Sequence, residues 1–485
     1  MTIVADKSNM ETEEKVAVVI MNKGPRIGIR HVQTLLMFLL LATGYAMRVN
    51  LSVAIVSMTK KSSDNPDVPV YDDWKNKSYI LSSFYMGYIS LQILAGELGK
   101  RFGVKWLLVG AMVINSVGCM LIPLMAKHFS SGGVLAVRVV QGIFQGFFFP
   151  SVHYILGKWA PKEERSTLGN LVFTGVAFGT IIALPVTGII SASWYGWPLS
   201  FQVFGGAGLA WCLIWIILGA DSPAKHKNIS KEEQFYIESS LNSVAQPTPP
   251  PTPWKAILTS MPVWAILVAN SGQNWGYSVL LTEIPNYLSN VAGVKIENSA
   301  YLAAAPYLTL FILGLGFGPL TDFLVLKNIL SIRNARKLMN SIGSLIPALA
   351  LFILGFIPSD NINVIETFLI MAVGVNAAIW CGFQVNHVDL SPKFSGILMG
   401  IGNGCSNIFS IISPMFVQWV VPDESDASQW RVIFILAAAV YVVSDIFYLI
   451  YAQAELQWWD NVGEGEIDEK GSTSTVLAHE IENKY

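Results

Sequence analysis

Residues 32–58 read VQTLLMFLLLATGYAMRVNLSVAIVSM, twenty-seven positions with a single charge, Arg48. At about 1.5 Å of rise per helical residue, the run can cross a hydrocarbon layer of roughly 30 Å. It is too long for the core of a cleaved signal peptide, and the residues before it are polar and mixed in charge, so it predicts a retained first span. Outward from it the pattern recurs. Apolar runs between charged or turn-forming breaks fall at 32–58, 78–98, 105–126, 132–156, 167–192, 198–219, 261–289, 299–320, 336–357, 364–387, 395–421 and 431–454. Twelve such runs predict an all-α polytopic membrane protein whose termini share one side of the bilayer.

Composition agrees. Of 485 residues, 53% are hydrophobic and 13% charged, and the mean hydropathy is +0.49. A soluble protein carries about 25% charged residues, so a soluble enzyme and a disordered scaffold are both excluded. The net charge of −2 leaves no basic field for nucleic acid. Twenty-two of the 31 Lys and Arg residues fall on the side of the termini and six on the other, with Arg48, Arg138 and Arg431 in or at spans. This bias predicts that both termini are cytoplasmic. The four cysteines lie inside apolar runs without metal-ligand spacing and are expected to be buried free thiols. No set of residues suggests catalysis or a metal centre.

The organisation expected is a tail (1–31), six spans (32–220), a linker (221–258), six more spans (259–455) and a second tail (456–485). The linker holds a charged stretch, in which 231–241 has the length of a short surface helix. It ends in the run Gln246-Pro-Thr-Pro-Pro-Pro-Thr-Pro253, an extended spacer. The two sets of spans echo each other. Gly96-Glu-Leu98-Gly-Lys-Arg101-Phe-Gly103 closes the second span and Gly318-Pro-Leu320-Thr-Asp322-Phe-Leu the eighth, displaced by 222 residues. Ser166, Gly175 and Pro185 match Ser395, Gly404 and Pro414 at a displacement of 229. Two matches at nearly one displacement point to duplicated six-helix units, an architecture of secondary transporters.

At these residues the chain resembles the major facilitator superfamily, whose gating-loop motif after span two is G-x-L-x-[DK]-R-x-G. Gly96, Arg101 and Gly103 keep that motif; Lys100 stands where most members have Asp, and Asp322 keeps the acid in the second copy. More narrowly, Tyr45-Ala-Met-Arg48-Val-Asn50-Leu-Ser-Val-Ala, Trp159-Ala-Pro-Lys-Glu-Glu164-Arg165-Ser, Asn274-Trp275, Pro306-Tyr307-Leu and Asn386-His387-x-Asp389-x-x-Pro392 are similar to the anion–cation symporter family. That family includes sialin, the vesicular glutamate transporters and the type I sodium–phosphate cotransporters. The likeness runs over about residues 30–455 and is closest in texture to the insect branch described as inorganic phosphate cotransporters. It implies two six-helix halves of the major facilitator fold, with the first-span arginine as a substrate ligand.

Two arginines lie within spans, each costing on the order of 3 kcal/mol to insert unless answered by a partner. Arg48 and Arg138 both fall in the half of their spans away from the termini, where they could share one anion; a guanidinium fork suits carboxylate or phosphate. The plainer reading is that each binds helix-end carbonyls or a carboxylate and fixes packing. Arg138 is expected nearer the mouth and better hydrated than Arg48. Gln141 and Gln145 share the Arg138 stripe at i+3 and i+7, where proton-coupled members such as sialin carry glutamates. Interhelical hydrogen bonding is their plainer role. Tyr45, one turn from Arg48, together with Asn50, Asn274 and Tyr307, completes the substrate-binding set. Gln273 and Leu81 replace an arginine and a histidine of the vesicular glutamate transporters, which argues against glutamate as substrate.

For a coupled cation the candidates are Glu283, beside the helix-breaking Pro285, and His153 and His387 near helix ends, where histidines more often cap carbonyls. Asp445 and Glu366 read as structural. Trp194, Trp197, Trp458 and Trp459 at span ends read as interface anchors. Asn76-Lys-Ser78 is the one glycosylation triplet placed outside. The function expected is alternating-access symport, by a monomer in the plasma membrane, of inorganic phosphate or a small organic anion with a cation. That cation is Na⁺ in preference to H⁺, because the titratable glutamates are missing, and no resident cofactor is needed. The rivals are a proton-coupled vesicular or lysosomal organic-anion exporter and a non-transporting receptor or scaffold.

Overall fold

A backbone in hydrocarbon must satisfy its hydrogen bonds within itself. In the computed structural model every long element among the described residues (25–59, 68–74, 77–241, 251–279, 299–358, 361–423 and 426–461) is accordingly a helix. Span one is Ile29–Thr59, span five Arg165–Ala192, span six Trp197–Leu218, span seven Met261–Ser278, span eight Ser299–Leu326, span nine Ile332–Leu354, span eleven Ser395–Val420 and span twelve Ala427–Tyr451. Spans three and four follow each other within Lys105–Gln145, and the chain turns back between them at Ser130 (φ 51°, ψ −147°). The Trp74 indole donates to the Ser130 hydroxyl at 2.9 Å and pins that reversal.

Three spans are broken. Span two divides at Leu91 into Lys77–Ser90 and Gln92–Phe102. Span four resumes as Phe148–Trp159, and span ten passes from Ile362–Val375 through the 3₁₀ turn Asn376–Trp380 into Phe383–Leu390. The breaks in spans four and ten stand about 230 residues apart, the displacement of the sequence repeat. Nine helices among the described residues are long and apolar enough to cross a membrane, and one of them, Lys105–Trp159, contains two spans. Spans two and seven fall outside that count: the first is divided, and the described part of the second carries Asn270, Gln273 and Asn274 in 18 residues.

Small residues let the helices approach closely. A Cβ on Gly142 would lie 2.0 Å from the Phe84 carbonyl oxygen, and one on Gly87 would lie 2.1 Å from that of Val139, so spans two and four cross backbone to backbone. Spans one and five do the same where Gly179 meets the Ala42 carbonyl. Gly44 of span one likewise meets Gln145 and Phe148 of span four, so spans one, two and four pack around one another.

The charged stretch of the linker folds as the helix Lys231–Leu241. Glu233 at its start accepts from the backbone N–H groups of Ile29 (2.9 Å) and Arg30 (3.1 Å), orphan donors at the beginning of span one. Arg30 in turn bonds Glu164 through Nε at 2.7 Å and Glu233 through Nη1 at 3.1 Å. The linker helix is therefore fastened to the first six spans.

Some expectations are corrected. Cys405 is exposed on span eleven, whereas Cys119, Cys212 and Cys381 are buried. Trp194 and Trp458 are exposed as interface residues should be, but Trp197 and Trp459 are core residues, 1% and 0% exposed. The Trp197 indole is used inside the fold, donating to the Pro69 carbonyl at 2.9 Å.

Candidate functional site

Span one places Arg48 about 16 Å along the helix from the end at Thr59, at 1.5 Å per residue. Its guanidinium lies within cation–π range of four rings: Tyr45 (5.1 Å) one turn earlier, and Phe84 (4.8 Å), Tyr85 (4.6 Å) and Tyr88 (5.2 Å) of span two. Phe84-Tyr85 and Tyr88 follow each other at helical spacing, so one face of span two supplies three walls of the cage. The last six spans close it. Asn403 on span eleven donates to the Tyr88 hydroxyl at 2.9 Å, while Tyr277 and Tyr307 pack, half-buried, against the core cluster that holds Tyr441. Arg48 and Tyr45 are only partly buried, so the rings do not seal the guanidinium completely.

Arg138 stands behind this cage. Its guanidinium packs on the same Phe84 ring at 4.7 Å, donates to the Arg48 carbonyl at 3.4 Å and reaches Gln141 Oε1 at 3.5 Å. It is 3% exposed, so the expectation that it would be the better hydrated arginine is corrected. Gln141 also donates to the Asn115 carbonyl (3.1 Å), and Gln145 donates to the Gly44 carbonyl (2.7 Å), so both glutamines tie span four to its neighbours. Asn50, two residues beyond Arg48, necessarily faces elsewhere. It is fully buried and accepts from the Thr187 hydroxyl at 2.8 Å in the seam between spans one and five, apart from the cage. Asn274, part-buried on span seven, donates to Asn270 at 3.0 Å. Glu283 and Asn76 lie outside the described residues.

A second constellation lies toward the face that carries the termini. Asp389 on span ten accepts from Arg165 Nη1 at 2.8 Å, across the two sets of six spans, and from Arg336 Nε at 2.6 Å. Arg336 reaches back across to the Ser166 hydroxyl at 2.7 Å. Asp322 accepts from the backbone N–H groups of Ser166 (3.1 Å) and Thr167 (2.7 Å), an anion seated on the N-terminus of span five. His153 has Phe149 O at 2.9 Å from Nδ1 and, across the divide, Gln384 O at 3.2 Å from Nε2; His387 has the same Gln384 oxygen at 2.9 Å from Nδ1. The two imidazoles meet at 5.2 Å. They cap carbonyls, as histidines near helix ends commonly do. Among the described residues, these cross-connections all lie between mid-membrane and the terminal face, which is therefore closed.

The Major Facilitator Superfamily model matches residues 34–414. A Drosophila ananassae protein named "Putative inorganic phosphate cotransporter" is 36% identical over 455 residues, covering 89% of this chain and 94% of that protein. Human vesicular glutamate transporter 2 is 36% identical over 427 residues, covering 86% of this chain and 72% of the relative. The solved structure of a proton:xylose symporter superimposes with a TM-score of 0.67 at 17% identity, over 87% of this chain and 96% of that one. The chain belongs to the Major Facilitator Superfamily. Within it, its relatives are those of the anion–cation symporters, and it is a transporter, not an enzyme.

In this facilitator the two signature stretches around Arg165 and Asp389 are thus the two halves of one cross-connection, a meeting that no sequence spacing announces. The gating-loop expectation is corrected in one respect: Gly96 and Arg101 lie on the helical last turns of span two and Asp322 within span eight, with Gly103 just past the helix end. Gly96 lies where a Cβ would be 2.7 Å from the Gly396 carbonyl oxygen of span eleven, and Gly103 has φ +81° with Asp221 where a side chain would go. Arg101 bonds Glu97 at 2.8 Å and stays largely exposed. Sequence reasoning missed Tyr85 and Asn403 at the cage. Tyr85 was within reach, since the run Phe84-Tyr85-Met-Gly-Tyr88 puts aromatics at i and i+3 opposite an arginine-bearing span.

Proposed function

We propose that this transporter is a symporter of inorganic phosphate or a small organic anion, driven by Na⁺ in preference to H⁺ and working by alternating access. Arg48 is its principal anion ligand. The observation that carries the reading is a contrast among arginines. Arg30, Arg165 and Arg336 are buried and each bonds a carboxylate. Arg48 and Arg138 make no ion pair among the described residues, although both stand in the membrane interior. A guanidinium there is costly unless something negative answers it, and a transported anion in the cleft supplies that charge. The tyrosine hydroxyls around Arg48 add donors for further anion oxygens.

Arg138 supports Arg48 from behind, through its carbonyl and the shared Phe84 ring. Gln141 and Gln145 do not titrate in the physiological range, which favours Na⁺ over a proton relay on span four. The relatives named for inorganic phosphate and for glutamate favour a small anion; Gln273 and Leu81 favour phosphate over glutamate. We place both termini in the cytoplasm from the Lys and Arg distribution, and we take the protein to act as a monomer in the plasma membrane. Loss of a glycosidase-sensitive band in Asn76→Gln tests the orientation. The function is tested by uptake into proteoliposomes of phosphate, sialate, glutamate and urate, each under a Na⁺ gradient and under a pH gradient. Phosphate uptake that needs Na⁺ supports the reading. Full-rate transport on a proton gradient alone refutes Na⁺ coupling, and no uptake of any anion refutes the function.

A further inference from the structure

We propose that Thr252 is a phosphorylation site for a proline-directed protein kinase, and that phosphate there holds the terminal face open. Its use in a cell rests on the cytoplasmic orientation proposed above. Thr252 precedes Pro253, which confines it to extended backbone. Pro253 (φ −80°, ψ 66°) forms an inverse γ-turn, closed by a 2.9 Å bond from Trp254 N–H to the Thr252 carbonyl, and the helix Trp254–Thr259 follows. Ile257 of that helix is fully buried in one cluster with Leu390, Phe394 and Trp459. Thr252 therefore travels with the last six spans.

Its hydroxyl is held by the first six. Oγ1 donates to Glu97 Oε2 at 2.6 Å and accepts from Lys100 Nζ, both on the last turns of span two. The Lys100 ammonium also lies 5.1 Å from the centre of the Phe394 ring, beside the start of span eleven. The reason is electrostatic. In the second copy Asp322 sits on the N-terminus of span five, a place for an anion; Lys100 holds the matching position beside span eleven, and a cation is disfavoured at a helix N-terminus. It turns instead to the threonine, to the ring and to the Glu97 carboxylate 3.5 Å away on its own helix, and the N–H of Phe394 is taken by the Ser391 hydroxyl at 3.0 Å. The departure from the family's acid is thus a latch of different chemistry, and Thr252 is its catch.

The latch makes modification depend on conformation. Transfer breaks the bond between the γ-phosphorus of a nucleoside triphosphate and its bridging oxygen and forms one from that phosphorus to Thr252 Oγ1. The hydroxyl proton passes to the kinase base, and the nucleoside diphosphate leaves. With the face closed, that proton is committed to Glu97 and a lone pair to Lys100, so the hydroxyl becomes available only when the face opens. Once added, the phosphate carries about −1.5 to −2 charges. A 2.6 Å gap to a carboxylate has no room for it, and Glu97 repels it. The catch then cannot re-enter.

The test uses the purified full chain in lipid nanodiscs, a recombinant proline-directed serine/threonine kinase and Mg²⁺–nucleoside triphosphate, with phosphate at Thr252 read by mass spectrometry. Lys100→Gln, or Glu97→Gln if that protein does not fold, should be phosphorylated about tenfold faster than the native chain, the change expected for losing one charge-assisted bond. Thr252→Val should remove the signal at that position. Phosphorylation of the native chain should at least double hydrogen–deuterium exchange over residues 92–103. Equal phosphorylation rates in native and latch variants, or no phosphate at Thr252 in either, overturn the proposal. So does exchange that is unchanged or slowed, because a slowed loop means the phosphate docks on Lys100 and Arg101 and closes the face instead. None of these readouts needs a transported substrate, so they stand apart from the choice of anion.

Discussion

Replacing Asp389 by asparagine should unlatch the terminal face. In the closed arrangement this carboxylate is shared by Arg165 and Arg336, each 3% exposed. Arg165 depends on it most: its Nε and Nη2 have no partner, so the 2.8 Å bond from Nη1 is its one anchor. Arg336 keeps the Ser166 hydroxyl and the Cys381 carbonyl. Removing one partner of a buried pair costs about 3–5 kcal/mol, because the remaining charge stays buried and unanswered. Asparagine still offers one acceptor oxygen, so the lower end applies, about 3 kcal/mol. The penalty falls on the closed state alone, since opening hydrates both guanidinium groups. At about 1.4 kcal/mol per factor of ten, the balance shifts toward the open face by about a hundredfold.

Spin labels on Lys162 and Lys327, exposed on terminal-face loops of the two halves, would report that shift as a longer distance in pulsed electron resonance. Uptake should fall with it, because each cycle must close this face. Arg165→Lys keeps a charge while losing the planar fork, so its shift should be smaller and in the same direction. An Asp389→Asn protein with the native distance distribution and native uptake would refute the argument, and the network would then be only a fold contact.

Three further substitutions follow from the site and its surroundings. Arg48→Lys should weaken apparent anion affinity about tenfold or more, given about 1.5–3 kcal/mol per charge-assisted bond, with surface expression retained; unchanged affinity and rate would make Arg48 a packing residue. Gln145→Glu should make uptake fall as pH rises, because only the protonated acid can donate to the Gly44 carbonyl as the glutamine now does; a flat pH profile would count against it. Asp460, beyond the last span, is held above the ordinary carboxylate range by burial, against the opposing pull of the Ser391 hydroxyl and Lys393. A carboxyl raised in this way costs stability once ionised, and the cost vanishes as pH falls below its unfolded value. Asp460→Asn should therefore unfold at higher temperature than the native chain near neutral pH and lose that advantage toward about pH 4, as read by thermal scanning in detergent.

The spans were legible because hydrophobic length is a local property of sequence, and the duplicated halves because two motifs repeat at one displacement. Arg48 was legible because the one charge in a run of 27 residues needs an explanation wherever it points. Rotation about the helix axis was harder. Asn50 sits in the same motif but faces span five, and only packing decides which of two near neighbours meets the cleft. Depth misled for Arg138, since distance along a span does not measure hydration when Phe84 stands between the side chain and the cleft. Trp197 and Trp459 show the same limit: position at a span end does not tell lipid from core.

The placement of carboxylates carries the argument a step further. Asp322, Asp389, Glu97, Glu164 and Glu233 all cluster toward the terminal face, each bonded to an arginine, a lysine or a helix N-terminus. The cage around Arg48 has aromatic rings and hydroxyls instead. Aromatic faces stabilise a guanidinium without neutralising it, and contribute about 0.5–2 kcal/mol each. A carboxylate in their place would satisfy Arg48 permanently and would compete with any arriving anion. An aromatic cage keeps the arginine soluble in the membrane interior while leaving its net charge for a ligand. The cage also joins the halves through the Tyr88–Asn403 bond, so an anion that draws Arg48 away from the rings acts on a contact that must break when the cleft changes sides. Binding and the conformational step would then share one structural element, as the proposed symport by alternating access requires.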